Sequence, residues 1–285
     1  MAAVLCLSPG APSVAFGHSP LRVRESETAV FVGHEQGSAT AVCPAGTRAL
    51  GGVFEEEQPA FNHPENVGGL ITESRKASPT SWRVSARYVG TLPNVAVQVV
   101  SIVTCSKRAP KTDPVQATAM SLGGGPASGP SADATCPSGR KAFAGGFSLG
   151  PVVSAPFESP VITASRRVGP TTWRASAAEG AGSSVTSIVY CANVDKLVKG
   201  TQSTLRVPGT PRSVVELAPH CNGYPYMVGF SETGLSDTSN GLYYPFDIVP
   251  QGAASDFMKM LWIHNTFNGP AQSVSSTPLC LARRS

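Results

Sequence analysis

Three times along the chain a cysteine is followed about forty residues later by a tryptophan and then by a second cysteine: Cys43, Trp82, Cys105; Cys136, Trp173, Cys191; Cys221, Trp262, Cys280. First cysteine to tryptophan is 39, 37 and 41 residues, and tryptophan to second cysteine is 23, 18 and 18. A period this regular implies three copies of one structural unit. The 285 residues accordingly divide into repeats over 27–112, 113–198 and 199–285, preceded by a leader or arm over 1–26.

The unit reads as β-structure. Cys43-Pro44-Ala45-Gly46 and Cys136-Pro137-Ser138-Gly139 are strand ends followed by turns, with Pro presetting a negative φ and Gly permitting a positive one. The strands that follow, Ala49-Leu50-Gly51-Gly52-Val53-Phe54 and Ala142-Phe143-Ala144-Gly145-Gly146-Phe147, carry glycines that signal a bulge or a close backbone approach. Trp82, Val84, Ala86 and Tyr88 alternate with Arg83, Ser85 and Arg87, the period of a half-buried strand, and Trp173-Arg174-Ala175-Ser176-Ala177 copies it. Residues 95–105 are apolar on both faces, as in a central strand. Two further strand-like runs precede each first cysteine, among them Thr28-Ala29-Val30-Phe31-Val32, which brings the estimate to six strands per repeat. Segments 106–114 and 193–200 read as short polar linkers, so neighbouring repeats are expected to touch. In the third copy Pro278 is expected to interrupt the last strand.

Composition agrees: charged residues are 14%, against roughly 25% in an average soluble protein, while 29 Gly and 25 Pro fit sheets joined by many turns. A net charge of +4 spread over scattered Lys and Arg does not point to nucleic acid. No apolar run approaches the roughly twenty residues that span a bilayer. Six of the seven cysteines fall in pairs at the repeat boundaries, with Cys6 outside them. Disulfides Cys43–Cys105, Cys136–Cys191 and Cys221–Cys280 are expected, and with them an oxidising compartment; six buried free thiols are the alternative. The apolar segment 1–17 could serve as a secretory leader, although no Lys or Arg precedes it and Pro9 and Pro12 interrupt it.

The expected fold is all-β: three tandem antiparallel six-stranded β-sandwich repeats, each with its tryptophan (Trp82, Trp173, Trp262) in the core near the bridge. The alternative is one threefold pseudo-symmetric β-prism with a shared core. The succession Cys-Pro-x-Gly, Gly-Gly-x-Phe, Ile-Thr-x-Ser, Trp-Arg-x-Ser and Ser-Ile-Val-x-Cys resembles a tandem repeat of secreted proteins of actinobacteria and their relatives, over residues 27–285. That resemblance implies an extracytoplasmic, non-enzymatic protein. In architecture the chain is also similar to the β-prism of vitelline membrane outer layer proteins and to the sandwiches of H-type lectins.

Little in the sequence points to catalysis. Gly146-Phe147-Ser148-Leu149-Gly150 has the spacing of a nucleophile elbow, but it lies where the first copy reads Val53-Phe54-Glu55-Glu56-Glu57, within a strand rather than a strand-to-helix turn. The five histidines and scattered cysteines show no metal-ligand spacing, so neither metal nor cofactor is expected. The third repeat is rich in aromatics, and Tyr226, Tyr243 and Tyr244 are the candidate ligand contacts, for sugar stacking or a protein interface. The expected function is therefore a secreted or cell-surface binding or structural protein, not an enzyme, whose partner is a glycan or protein surface and which can join a larger assembly. The alternative is a virion component, a capsid decoration or tail-associated protein of a bacteriophage.

Overall fold

The structure is a computed structural model that describes residues 21–30, 36–57, 69–88, 97–121, 129–150, 160–178, 183–194, 197–210, 213–221, 224–233, 243–250, 258–264 and 271–281. These residues are all-β and contain no helix. The first Cys–Trp–Cys block and its approach comprise β1 (Leu21–Val30), β2 (Gln36–Val42), β3 (Arg48–Glu57), β4 (Gly69–Ser78), β5 (Ser81–Tyr88) and β6 (Val97–Ser106). The second comprises β7 (Asp113–Met120), β8 (Ser131–Thr135), β9 (Lys141–Leu149), β10 (Val161–Arg167), β11 (Thr172–Ala178) and β12 (Ser184–Ala192). The third comprises β13 (Leu197–Lys199), β14 (Ser203–Val207), β15 (Val214–Leu217), β16 (Tyr224–Thr233), β17 (Tyr243–Pro250), β18 (Met258–His264) and β19 (Gln272–Leu281). Of β1, β16, β17 and β18 the backbone alone is described.

All pairings are antiparallel, and the sheets cross the block boundaries. One sheet runs β2-β5-β4-β9-β12-β7, joining the first block to the second where Glu73 and Ser74 pair with Ser148 and Phe147. Another runs β8-β11-β10-β16-β19-β13, with β14 also on β19, and joins the second block to the third where Ala164 and Ser165 pair with Ser231 and Phe230. Two shorter sheets run β1-β6-β3 and β15-β18-β17, and β17 of one lies against β3 of the other. The expected contact between neighbouring repeats thus takes the form of strand pairing.

Each tryptophan whose side chain is described sits in the same constructed niche. Trp82 and Trp173 are 1% and 0% exposed. A Cβ on Gly52 would lie 2.2 Å from the Trp82 ring, and one on Gly145 would lie 2.0 Å from that of Trp173, so only glycine lets the indole rest on the facing strand. The indole nitrogens donate to Ser74 Oγ at 3.0 Å and Ser165 Oγ at 2.9 Å, which removes the cost of burying an unpaired donor. Across the gap between sheets, Ser101 and Ser187 each donate to the tryptophan carbonyl at 2.8 Å. The Cys-Pro-x-Gly turns close in parallel, Thr47 N–H to the Pro44 carbonyl and Arg140 N–H to that of Pro137, with Gly46 and Gly139 at φ 77° and 81°.

Cys43–Cys105, Cys136–Cys191 and Cys221–Cys280 are bridged, with Cα atoms 5.6, 5.6 and 5.9 Å apart. One continuous apolar core takes residues from all three blocks, among them Val53, Phe147, Leu217 and Leu279. Phe54 and Phe147, at matching positions of two blocks, meet edge to face with centroids 6.4 Å apart. β6 is flanked by β1 and β3 and buried on both faces, as its unbroken apolar run requires.

Some boundaries differ from expectation. The strand anticipated over residues 28–32 begins at Leu21, within the segment assigned to a leader or arm, and pairs as far as Leu21 opposite Cys105. The expected linker 193–200 holds β13. Pro278 does not stop its own strand: β19 continues through it to Leu281, and the neighbouring edge is divided instead, β13 pairing with residues 279–281 and β14 with 272–276. Proline has no N–H to offer a neighbour, whereas its carbonyl still accepts from Gly200 N–H at 2.8 Å.

Candidate interaction surface

The aromatic candidates are spread over two sheets. Tyr226 lies on β16 where the register with β19 shifts between Pro225 and Met227, and Tyr243 and Tyr244 lie on β17 opposite His264 and Ile263. Their side chains, and that of Trp262, lie outside the described residues. Ser148 lies within β9, paired with Thr186 on one side and Glu73 on the other, a flat strand rather than an exposed elbow. Among the described residues no cluster of His, Cys, Asp or Glu is arranged to hold a metal ion, and no helix is long and apolar enough to cross a membrane.

The outward faces of the two long sheets carry a pattern that sequence reasoning missed. In the first, Ser38, Ser85, Glu73, Ser148, Thr186 and Thr118 are successive register partners across all six strands. At about 4.8 Å per strand the row extends roughly 24 Å. In the second sheet the same positions are Ser131, Ser176, Ala164, Ser231, Ser275 and Thr204. Hydroxyls bond along the rows: Ser85 Oγ donates to Glu73 Oε2 at 3.1 Å, and Thr118 and Thr186 oxygens lie 2.8 Å apart, as do those of Ser131 and Ser176.

Beside each row stands a charged one. In the first sheet Thr40, Arg83 and Arg75 are successive partners; in the second they are Asp133, Arg174 and Arg166. Arg83 Nη2 donates to Ser38 Oγ at 3.1 Å and its Nε is 3.9 Å from Glu73 Oε2, while Arg75 Nε pairs with Glu73 Oε1. Arg174 grips Asp133 with two parallel bonds of 2.7 and 2.6 Å. Those bonds, with added attraction from Arg174 and Arg166, hold the Asp133 carboxyl below the usual carboxylate range.

Directly behind this face the junction of the first two blocks contains a buried lysine. Strand alternation turns Lys76 inward while Arg75 faces out, and Lys76 is 8% exposed. Its Nζ donates to the Ala49 carbonyl at 2.8 Å and to Thr112 Oγ1 at 3.2 Å, and lies 5.0 and 6.0 Å from the centroids of Tyr190 and Phe143. Its backbone N–H donates to the Tyr190 hydroxyl at 2.7 Å. Burial lowers the Lys76 ammonium to about 7 and pushes the Tyr190 phenol up. These contacts tie β4, the entry to β3 and the segment before β7 to β12.

Two signals in the sequence pointed here: the doublets Arg75-Lys76 and Arg166-Arg167, each preceding its tryptophan by the same interval, and the hydroxyl residues alternating with core positions. Which strands they adjoin depends on pairing between blocks, which a single strand pattern does not encode. No family model matches the chain, and no curated protein does.

Proposed function

We propose that this chain is a non-enzymatic, exported binding or structural protein made of three six-stranded β-sandwich modules, over 27–112, 113–198 and 199–285, set about a pseudo-threefold axis. Its outward sheet faces engage a glycan or a protein surface. The modular reading is supported by strand order: β1-β6-β3 corresponds to β7-β12-β9 and to β13 or β14 with β19-β16, and β2-β5-β4 to β8-β11-β10 and β15-β18-β17. In this scheme the two halves of each sandwich belong to different sheets, and each sheet takes its other half from the next module. The sandwich and prism expectations then describe one object, with β17 beside β3 as the third junction.

The observation that carries the functional reading is the polar row of five hydroxyl residues and Glu73 that crosses a sheet assembled from two blocks, because its continuity exists only in the assembled chain. A broad polar face of fixed spacing suits many weak hydrogen bonds to an extended ligand. Export is supported by three bridges, each closing a loop that a reducing cytosol would reopen.

Two measurements test this. Mass spectrometry of the native protein with and without reductant reports the bridges and the mature N-terminus together; six free thiols in native material would overturn export. An array carrying neutral and acidic glycans, with cell-surface proteins alongside, tests binding, and retention by none of them would overturn the binding role. A second reading, a phage capsid decoration or tail component, draws on the threefold arrangement, in which one chain would fill a threefold site.

A further inference from the structure

On both long sheets an arginine stands directly opposite another arginine. Arg75 pairs with Arg83, and Arg166 with Arg174. Cross-strand neighbours on one face have Cβ atoms about 5 Å apart, and like charges so placed weaken the pairing. A surface that had only to be solvated would be better served by Ser or Thr at one of the two positions, as in the adjoining rows. The chain makes the costly choice twice, at matching positions of two blocks.

What offsets the repulsion is not repeated. In the first sheet the acid is Glu73, two residues before Arg75 on β4 and in the hydroxyl row; in the second it is Asp133 on β8, in the arginine row itself. The corresponding positions hold Ala164 in the second sheet and Thr40 in the first. The acid changes strand and row while the paired guanidinium groups stay. One carboxylate against two arginines leaves a surplus positive charge on each face, and the side chains of Arg75, Arg83 and Arg174 are 36%, 40% and 39% exposed. The position next to each pair is a glycine. Register places Gly146 next to Arg75, where a Cβ would come within 3.2 Å of the arginine Cα atom and clash with the Ser74 carbonyl, and one step along β16 places Gly229 next to Arg166.

We propose that each arginine pair is an anion-recognition site, and that the two sites bind a polysaccharide carrying sulfate or carboxylate groups. This rests on the glycan reading above. Guanidinium groups match such oxyanions in charge and geometry, and the hydroxyls beside them that reach solvent, Ser38, Ser148 and Thr186 in the first sheet and Ser131 and Ser176 in the second, meet the sugar hydroxyls. The described aromatic side chains Phe54, Trp82, Phe143, Phe147, Trp173 and Tyr190 are all buried, so among the described residues these faces offer donors but no ring on which a nucleic-acid base would stack.

The test titrates the full chain with dextran sulfate, with unmodified dextran as the neutral control and single-stranded DNA as a competing polyanion. Dextran sulfate is expected to bind at least tenfold more tightly than dextran, with affinity falling as salt rises. The double variant R75Q/R166Q, which leaves Arg83 beside Glu73 and Arg174 on Asp133, is expected to lose at least tenfold in affinity. Urea denaturation should find that variant no less stable than the parent, which separates lost binding from lost folding. Equal binding of dextran sulfate by the double variant overturns the inference, as does DNA displacing the polysaccharide at equal charge concentration. Retention of neutral glycans alone on the array overturns the inference but keeps the glycan reading; retention of no glycan overturns both.

Discussion

Lys76 gives the fold a pH signature that can be calculated before it is measured. In the unfolded chain its amine titrates at 10.5, whereas in the native junction burial holds it at about 7. Between those values the unfolded chain binds a proton that the native chain does not, so stability rises with pH through the window and gains nothing from this group below about 7. Each unit of difference corresponds to about 1.4 kcal/mol, so the full span is on the order of 4–5 kcal/mol. Above pH 10 the raised Tyr190 phenol acts in the opposite sense, because the unfolded chain then loses a proton that the native chain retains. Stability should therefore peak near pH 10. Lys76→Met keeps the length and apolar stem of the side chain but removes the titrating group, at a cost of about 1 kcal/mol for the donor lost to the Ala49 carbonyl. Urea denaturation of parent and variant from pH 6 to 10, followed by tryptophan fluorescence with Cys6 alkylated against disulfide exchange, is the assay. The parent should gain stability steadily above pH 7 while K76M stays nearly flat. Parallel curves for the two proteins would refute the assignment of Lys76 as a buried, partly neutral amine.

Other consequences follow from the same geometry. Gly145→Ala places a methyl 2.0 Å from the Trp173 ring and should cost about 3 kcal/mol in urea denaturation, whereas Gly139→Ala, at φ 81° with open space around it, should cost only about 1 kcal/mol. Replacing Cys136 and Cys191 together by Ser opens a loop of sequence separation 55 and should lower stability by roughly 4 kcal/mol, with a matching fall in melting temperature. Ser165→Ala leaves the Trp173 indole N–H without its partner and should cost about 1–2 kcal/mol, with a change in indole fluorescence that Ser176→Ala, on the outward face, does not produce.

The strands, turns and bridges within a block were legible because their constraints are local in pattern. Cysteine spacing, the Cys-Pro-x-Gly turn and the alternation around Trp82 and Trp173 each imply one strand or turn, and the double glycine before Phe147 announces a close approach whose object proves to be the indole. The sheets were not legible, because pairing of β4 with β9 and of β10 with β16 involves residues about seventy positions apart whose side chains alternate no differently from those of an ordinary edge. For the same reason the Arg75-Lys76 doublet gives no sign in the sequence that Lys76 is buried. Only the turn of the strand puts it inward, and only the neighbouring block supplies Tyr190 and Phe143 to cover it.

Sharing sheets between blocks also deals with a weakness of small β-structures. A free strand edge exposes a ladder of unpaired N–H and carbonyl groups that invites another chain. Here β4, β9, β10 and β16 each find a partner in a neighbouring block, so those edges are used up within one polypeptide. One end edge of each long sheet is blunted: β7 opens with Asp113-Pro114, which lacks a donor at its second position, and β8 is five residues long with the Asp133–Arg174 pair at its centre. Closure therefore comes from covalent order rather than from assembly of separate subunits, and does not depend on protein concentration. It also sets the spacing of the outward rows: because β4 and β9 are held in register, the Glu73 and Arg75 positions of one block and the Ser148 and Thr186 positions of the next form a single surface, which no block would present alone.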